Sequence, residues 1–170
     1  ARELTEAPLT DCAPLAKCPG LVELNLSFTR IADLRPVGAC ALLTKLVLTC
    51  TPVADLSPLA GCPRLRVLGL LSTLVADAAP LAACTTLLRT LNLGHSRLTD
   101  VAPLAALTEL AVLVLSHTRV AAIAPLGALA QLAHLDLNHT RVENLALLAS
   151  FPYTHFRVHE TLRYLVCSLL

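Results

Sequence analysis

Leucine recurs along this chain in two rhythms at once. Over short stretches it alternates with other residues, as in Leu24/Leu26, Leu46/Leu48, Leu68/Leu70, Leu91/Leu93, Leu113/Leu115 and Leu135/Leu137. Over longer spans the whole pattern returns, in copies beginning at Leu21, Leu43, Leu65, Leu88, Leu110 and Leu132. The intervals are 22, 22, 23, 22 and 22 residues, and the extra residue falls in "CTTLL" (84–88), where a loop can absorb it. Each copy reads LxxLxLxxT, then an aliphatic residue, then usually Asp-x-x-Pro-Leu. Alternation with period two predicts a short strand that sends both leucines to one side. A coil of this length cannot also hold a long helix, so the return is predicted to be extended or 3₁₀-like. Pro14, Pro36, Pro58, Pro80, Pro103 and Pro125 suit the first position of such a turn, where no backbone donor is needed. One copy cannot bury its leucines alone, whereas stacked copies build a continuous core.

A full copy, "LTKLVLTCTPVADLSPLAGCPR", carries a family resemblance. The pattern resembles the leucine-rich repeat, in the 22-residue form of the internalins, which the leucine-rich phosphatase regulatory subunits share. The likeness covers roughly Leu9 to Ala149 and rests on many positions recurring in six registers. It implies an α/β-type repeat solenoid: a curved, right-handed coil with a parallel β-sheet on the concave face and 3₁₀ or extended turns on the convex face. It also implies binding of proteins more often than catalysis. The family often has Asn where this chain has Thr29, Thr51, Thr73, Ser96, Thr118 and Thr140. A hydroxyl satisfies backbone groups with fewer donors, so a less rigid turn is expected there.

Composition narrows the setting. The hydrophobic fraction is 55% with no Trp, no Met and 3% aromatic residues, so Leu and Ala must build many similar small packing sites. The longest run without Asp, Glu, Lys or Arg, Val120–Leu135, is sixteen residues and is broken by Pro125, too short for a membrane span. "ARELTEAPLT" lacks the basic start and apolar core of a signal peptide. A net charge of +1 exerts no global pull on nucleic acid or anionic membrane.

The array is expected to run over 1–151. Upstream of Leu21, "LTDCAPLAKCPG" matches the second half of a copy; Leu4 takes the second strand leucine and Arg2 the place of the first. An uncapped first repeat leaves an open edge, so the chain is expected to be part of a longer protein or to make end-to-end contact there. Residues 152–170 are expected to close the other end. Phe156 and Val158 alternate as a last strand would, one residue out of step, and Leu162, Leu165, Val166 and Leu169 follow at the spacing of a capping helix.

Cys18, Cys40, Cys62 and Cys84 share one column, continued by Leu107, Leu129 and Phe151. Cysteine there replaces leucine as a small core hydrophobe. Stacked thiols within disulfide reach point to a reducing, cytoplasmic setting, and a column does not converge on a point as zinc ligands must.

His95, His117 and His139 all fall seven residues after their copy's first leucine, below Phe28, Cys50 and Ser72 in the same column. Rungs about 4.8 Å apart would let two imidazoles reach one metal, but three in line do not splay around an ion. A hydrogen-bonding surface ladder is the better expectation, with no metal and no cofactor. Arg97, Arg119 and Arg141 follow two positions later, making a basic band that an acidic or phosphorylated ligand would fit. Asp33, Asp55, Asp77 and Asp100 form an acidic column at the next turn that would partly neutralise it.

On the face opposite the leucines, Val47, Val67, Leu71, Val112 and Val114 are apolar where alternation points outward. With Phe28, His134 and Asp136 they make up the expected partner-binding surface, Phe28 being the candidate anchor. The alternative for the valines is strand propensity alone. A phosphate-cradling loop, a nucleophile elbow and metal-ligand spacing are all missing from the sequence. The expectation is a non-catalytic protein-interaction module. The alternatives are an architectural segment of a larger assembly or a docking site on the His/Arg band.

Overall fold

Each LxxLxL stretch forms a three-residue strand whose middle leucine is buried and whose two neighbours are half-buried, apart from exposed Lys45. The computed structural model describes residues 2–3, 9–84, 87–144 and 155–157. Eight strands line up in sequence order as one parallel sheet: β1 (Arg2–Glu3), β2 (Glu23–Asn25), β3 (Lys45–Val47), β4 (Val67–Gly69), β5 (Thr90–Asn92), β6 (Val112–Val114), β7 (His134–Asp136) and β8 (His155–Arg157). The register keeps identical repeat positions side by side, Leu24↔Leu46, Leu46↔Leu68, Leu68↔Leu91, Leu91↔Leu113 and Leu113↔Leu135. Arg2 stands opposite Leu24, and Phe156 opposite Leu135, one residue short of the repeat interval. The capping helix expected over 161–170 lies outside the described residues, as does Val158.

Among the described residues the returns are five 3₁₀ turns, η1 (Ala13–Lys17), η2 (Val37–Ala39), η3 (Ser57–Gly61), η4 (Ala102–Ala106) and η5 (Ala124–Ala128), and one short helix, α1 (Ala79–Cys84). Proline occupies the second position in η1, η3, η4 and η5 and precedes η2, where its missing N–H costs nothing. The α-helical return belongs to the 23-residue copy.

Five of the six described returns, all but η5, are launched the same way. The carboxylates of Asp11, Asp33, Asp55, Asp77 and Asp100 accept the backbone N–H two residues on, at 2.7, 2.9, 2.8, 2.7 and 2.8 Å. The acidic column is therefore a row of Asx turns. Asp33 also holds Arg35 in an exposed ion pair at 2.7 Å, and that guanidinium lowers its carboxyl below the usual range.

Between sheet and turns lies one continuous core of leucine columns, with Leu46, Leu48, Leu59, Leu65, Leu68 and Leu70 among side chains fully removed from water. Each such leucine contributes roughly 1.5–3 kcal/mol of transfer free energy, an upper estimate because the unfolded chain already buries part of it. Cysteine fits this core as a donor. Cys40 and Cys62 are buried and direct Sγ to Leu15 O at 3.6 Å and Val37 O at 3.4 Å, carbonyls of the preceding turn. Burial raises the Cys40 thiol above its ordinary value, with nearby Cys18 adding to the effect.

Candidate interaction surface

Two exposed features meet where the strands end: the outward face of the sheet and the edge along which the chain leaves it.

On the sheet face, register decides which apolar residues become neighbours. Val47, Val67 and Leu71 share adjacent rungs β3 and β4, where Gly69 makes room for them. A Cβ on Gly69 would come within 3.2 Å of Val47 Cγ1. Val112 and Val114 stand together on β6, beside His134 and Asp136 of β7. Rung β5 separates the two apolar patches with Thr90 and Asn92. All these positions except Gly69 carry half-buried side chains. Leu71 leans toward the divide, its Cδ1 lying 3.1 Å from where a Cβ on buried Gly94 would be. Register thus divides these apolar residues into two patches with a polar seam. Asp136 is engaged locally as well, its Oδ1 accepting the Asn138 N–H at 3.0 Å, as Asn92 accepts from Gly94 at 3.0 Å. At the other end Lys45 and Glu23 form a cross-rung pair at 3.9 Å, exposed and weak.

Phe28 follows the end of β2. It stands at the strand exit, 54% exposed, in a backbone conformation uncommon for phenylalanine. Phe28, Cys50, Ser72, His95, His117 and His139 all have positive φ, between 54° and 60°. Every copy leaves its strand through a left-handed residue, a conformation that costs non-glycine residues energy and that His tolerates better than most. The strain is held by hydrogen bonds to the next rung: Phe28, Cys50, Ser72, His95 and His117 donate N–H to Thr49, Leu71, Gly94, Ser116 and Asn138 carbonyls, each at 2.8 Å. The next residue then bonds back, as Oγ1 of Thr29, Thr51, Thr73, Thr118 and Thr140 donates to the carbonyl three residues earlier at 2.7–2.8 Å. Ser96 departs from the column; its Oγ accepts the Leu98 N–H at 3.4 Å.

This geometry turns the three histidines into a stack. The His95 and His117 rings lie 4.0 Å apart at 16°, and His117 and His139 lie 4.2 Å apart at 22°. Near-parallel rings direct their nitrogen lone pairs in parallel, so they do not converge on an ion. Among the described residues no group of three or more His, Cys, Asp or Glu is arranged to hold a metal. Arg97, Arg119 and Arg141 follow, anchored the opposite way, their N–H groups donating to Val75, Leu98 and Val120 of the preceding copy at 2.9, 3.1 and 2.8 Å. Their side chains are exposed, and among the described residues none pairs with the aspartate column. The neutralisation expected from the sequence is thus not made by contact.

No known protein-family profile matches the chain, and no curated protein does. Solved structures do. An internalin (inlF) of Listeria monocytogenes superposes with a TM-score of 0.78 at 25% identity, over 88% of this chain and 46% of its own. Internalin C2 of the same organism gives 0.85 at 27% identity, over 93% and 72%. A leucine-rich-repeat protein of Leptospira interrogans gives 0.75 at 19% identity, over 85% and 39%. The chain therefore spans less than half the length of two of these three. Among the described residues no helix is long and apolar enough to cross a membrane.

Proposed function

We propose that this leucine-rich-repeat solenoid, built from 22-residue repeats of internalin-like type, is a non-catalytic interaction module that holds a protein partner on its sheet face, the concave side of such a coil. The observation that carries the reading is the outward row of half-buried Val47, Val67, Leu71, Val112 and Val114 on a sheet whose every other rung position is polar or small. Apolar patches with a polar rim are what a recognition surface needs. The rim here is Glu23 and Lys45 at one end and His134 and Asp136 at the other. Rung-to-rung hydrogen bonding on both sides of the strand exit fixes these side chains on a stiff support, which lowers the ordering cost of binding. Phe28, exposed on the adjoining edge, extends the contact area. The shared architecture of the internalins supports a binding role of this general kind. A cytoplasmic setting fits the cysteine column, whose thiols serve the core as reduced donors to neighbouring carbonyls.

The test is affinity capture from lysate of the source cells with wild-type protein and with Val112→Glu and Val67→Glu, each checked for an unchanged circular dichroism spectrum. A discrete partner retained by the wild type and lost by both variants supports the reading. The same set of proteins retained by all three would assign the array an architectural role instead.

A further inference from the structure

We infer that the strand-exit edge over rungs β5 to β7 is a docking strip for an acidic peptide segment, separate from the sheet face and independent of the proposal made for it. The strip consists of His95, His117 and His139 with Arg97, Arg119 and Arg141. Three observations point to an anionic peptide.

The first is charge placement along the solenoid. The same two columns read Phe28/Arg30, Cys50/Pro52 and Ser72/Leu74 in the first half and His/Arg three times in the second. The aspartate column runs the other way: it ends at Asp100, and the next two copies have Ala122 and Asn144 in its place. Two of the three His/Arg pairs thus stand in copies where the acidic column has stopped, and the first, His95/Arg97, shares its copy with the last aspartate, Asp100.

The second is preorganisation. His95 and His117 are fixed at φ 54° and 57° with their N–H groups bonded to the next rung, while Arg97 and Arg119 are bonded to the preceding one. The backbone that carries each pair is therefore fixed from rung to rung, and the ring stack sets the imidazoles 4.0 and 4.2 Å apart beside exposed arginines. An arginine fork binds a carboxylate through two parallel hydrogen bonds, and an imidazole N–H adds a third donor.

The third is spacing and surface. Rungs repeat at about 4.8 Å, whereas an extended peptide places consecutive residues about 3.3 Å apart and alternate ones about 6.6 Å apart. A run of Asp and Glu laid across the rungs supplies a carboxylate for each by small side-chain adjustment. A nucleic acid strand fits less well. Single-strand binding depends on bases stacking on open aromatic faces, and His117 has both faces covered by its neighbours.

The experiment is fluorescence anisotropy with a labelled peptide of about ten residues, rich in Asp and Glu, against its Asn/Gln counterpart and a single-stranded DNA of equal charge. The full chain is used as wild type, as Arg97→Glu/Arg119→Glu, as His117→Asn and as Val112→Glu. His117→Asn keeps a residue that tolerates positive φ, and the two arginine side chains are exposed, so these variants test the strip with the fold intact. The expected result is saturable binding of the acidic peptide only, weakened by salt. The double reversal should lower affinity by at least about tenfold, given two pairs turned from attraction to repulsion. His117→Asn should weaken it by about two- to threefold, while Val112→Glu leaves it within about twofold. Absence of binding at low salt, indifference to the double reversal, or tighter binding of the DNA through the same arginines would each overturn the proposal.

Discussion

Thr118→Val isolates the bond that closes each strand exit. Thr118 is 4% exposed and its Oγ1 donates to the Leu115 carbonyl at 2.7 Å. Valine has nearly the same shape, so the substitution opens no cavity. It removes the donor and leaves a carbonyl of a fully buried leucine without that partner. An unsatisfied buried polar group costs about 1–3 kcal/mol. For a chain of this size each kcal/mol lowers Tm by roughly 2–4 °C, so a fall on the order of 3–8 °C is expected in thermal melts followed by circular dichroism. Thr118→Ser keeps the hydroxyl and should lose less than half as much. The departure in the fourth copy supplies the opposite test, because Ser96 makes no such back-bond among the described residues. Ser96→Thr should restore it at Leu93 O and raise Tm by about 1–3 °C. A neutral or stabilising Thr118→Val would refute the reasoning, since it would mean that the buried methyl, and not the hydroxyl, holds the turn.

Other consequences are equally direct. His117→Val forces a β-branched residue to φ 57° and should destabilise by about 1–3 kcal/mol in urea titrations, whereas His117→Gly should be near neutral. Gly61→Ala places a Cβ against the Gly38 carbonyl in the adjoining turn, so adjacent turns must part; a loss of about 1–3 kcal/mol is expected by the same assay. With an alkylating reagent at neutral pH, exposed Cys50 and half-exposed Cys18 should react first. Buried Cys12 and Cys40, both raised by burial, should react only as the chain unfolds, as read by intact mass. Asp33 and Asp55 have carboxyls lowered by Arg35 and by Ser57 respectively. Their contribution is therefore present above the unfolded carboxylate value near pH 4 and is lost as pH falls through the lower folded value. Tm should drop in that acid range, and Asp33→Asn/Asp55→Asn should blunt the drop.

The repeat, its strands and its turns were readable because each rests on a pattern that six copies repeat. A leucine alternation, a proline at a fixed offset and a cysteine column that leucine continues leave few arrangements open. The left-handed exit was not read, although His at three of six positions is a residue that tolerates positive φ. Phe28 and Cys50 in the same column hid the signal, being uncommon in that conformation. The aspartates were read by charge alone, yet the Asp-x-Ser of Asp55 and its equivalents was an Asx-turn signal in plain view. The polar seam at β5 was legible as Thr90, Asn92 and Gly94. Its effect on the valines emerged only when register put Val67 and Val112 on either side of Thr90.

The most direct test of the central claim is a cross-linking scan. A photoreactive residue placed singly at Val67 and Val112 on the sheet face, and at Ala60 and Ala106 on the exposed turns, would be irradiated with the captured partner. The account predicts adducts at Val67 and Val112 and none at the turn positions. Adducts at Ala60 and Ala106 with none on the sheet face would contradict it.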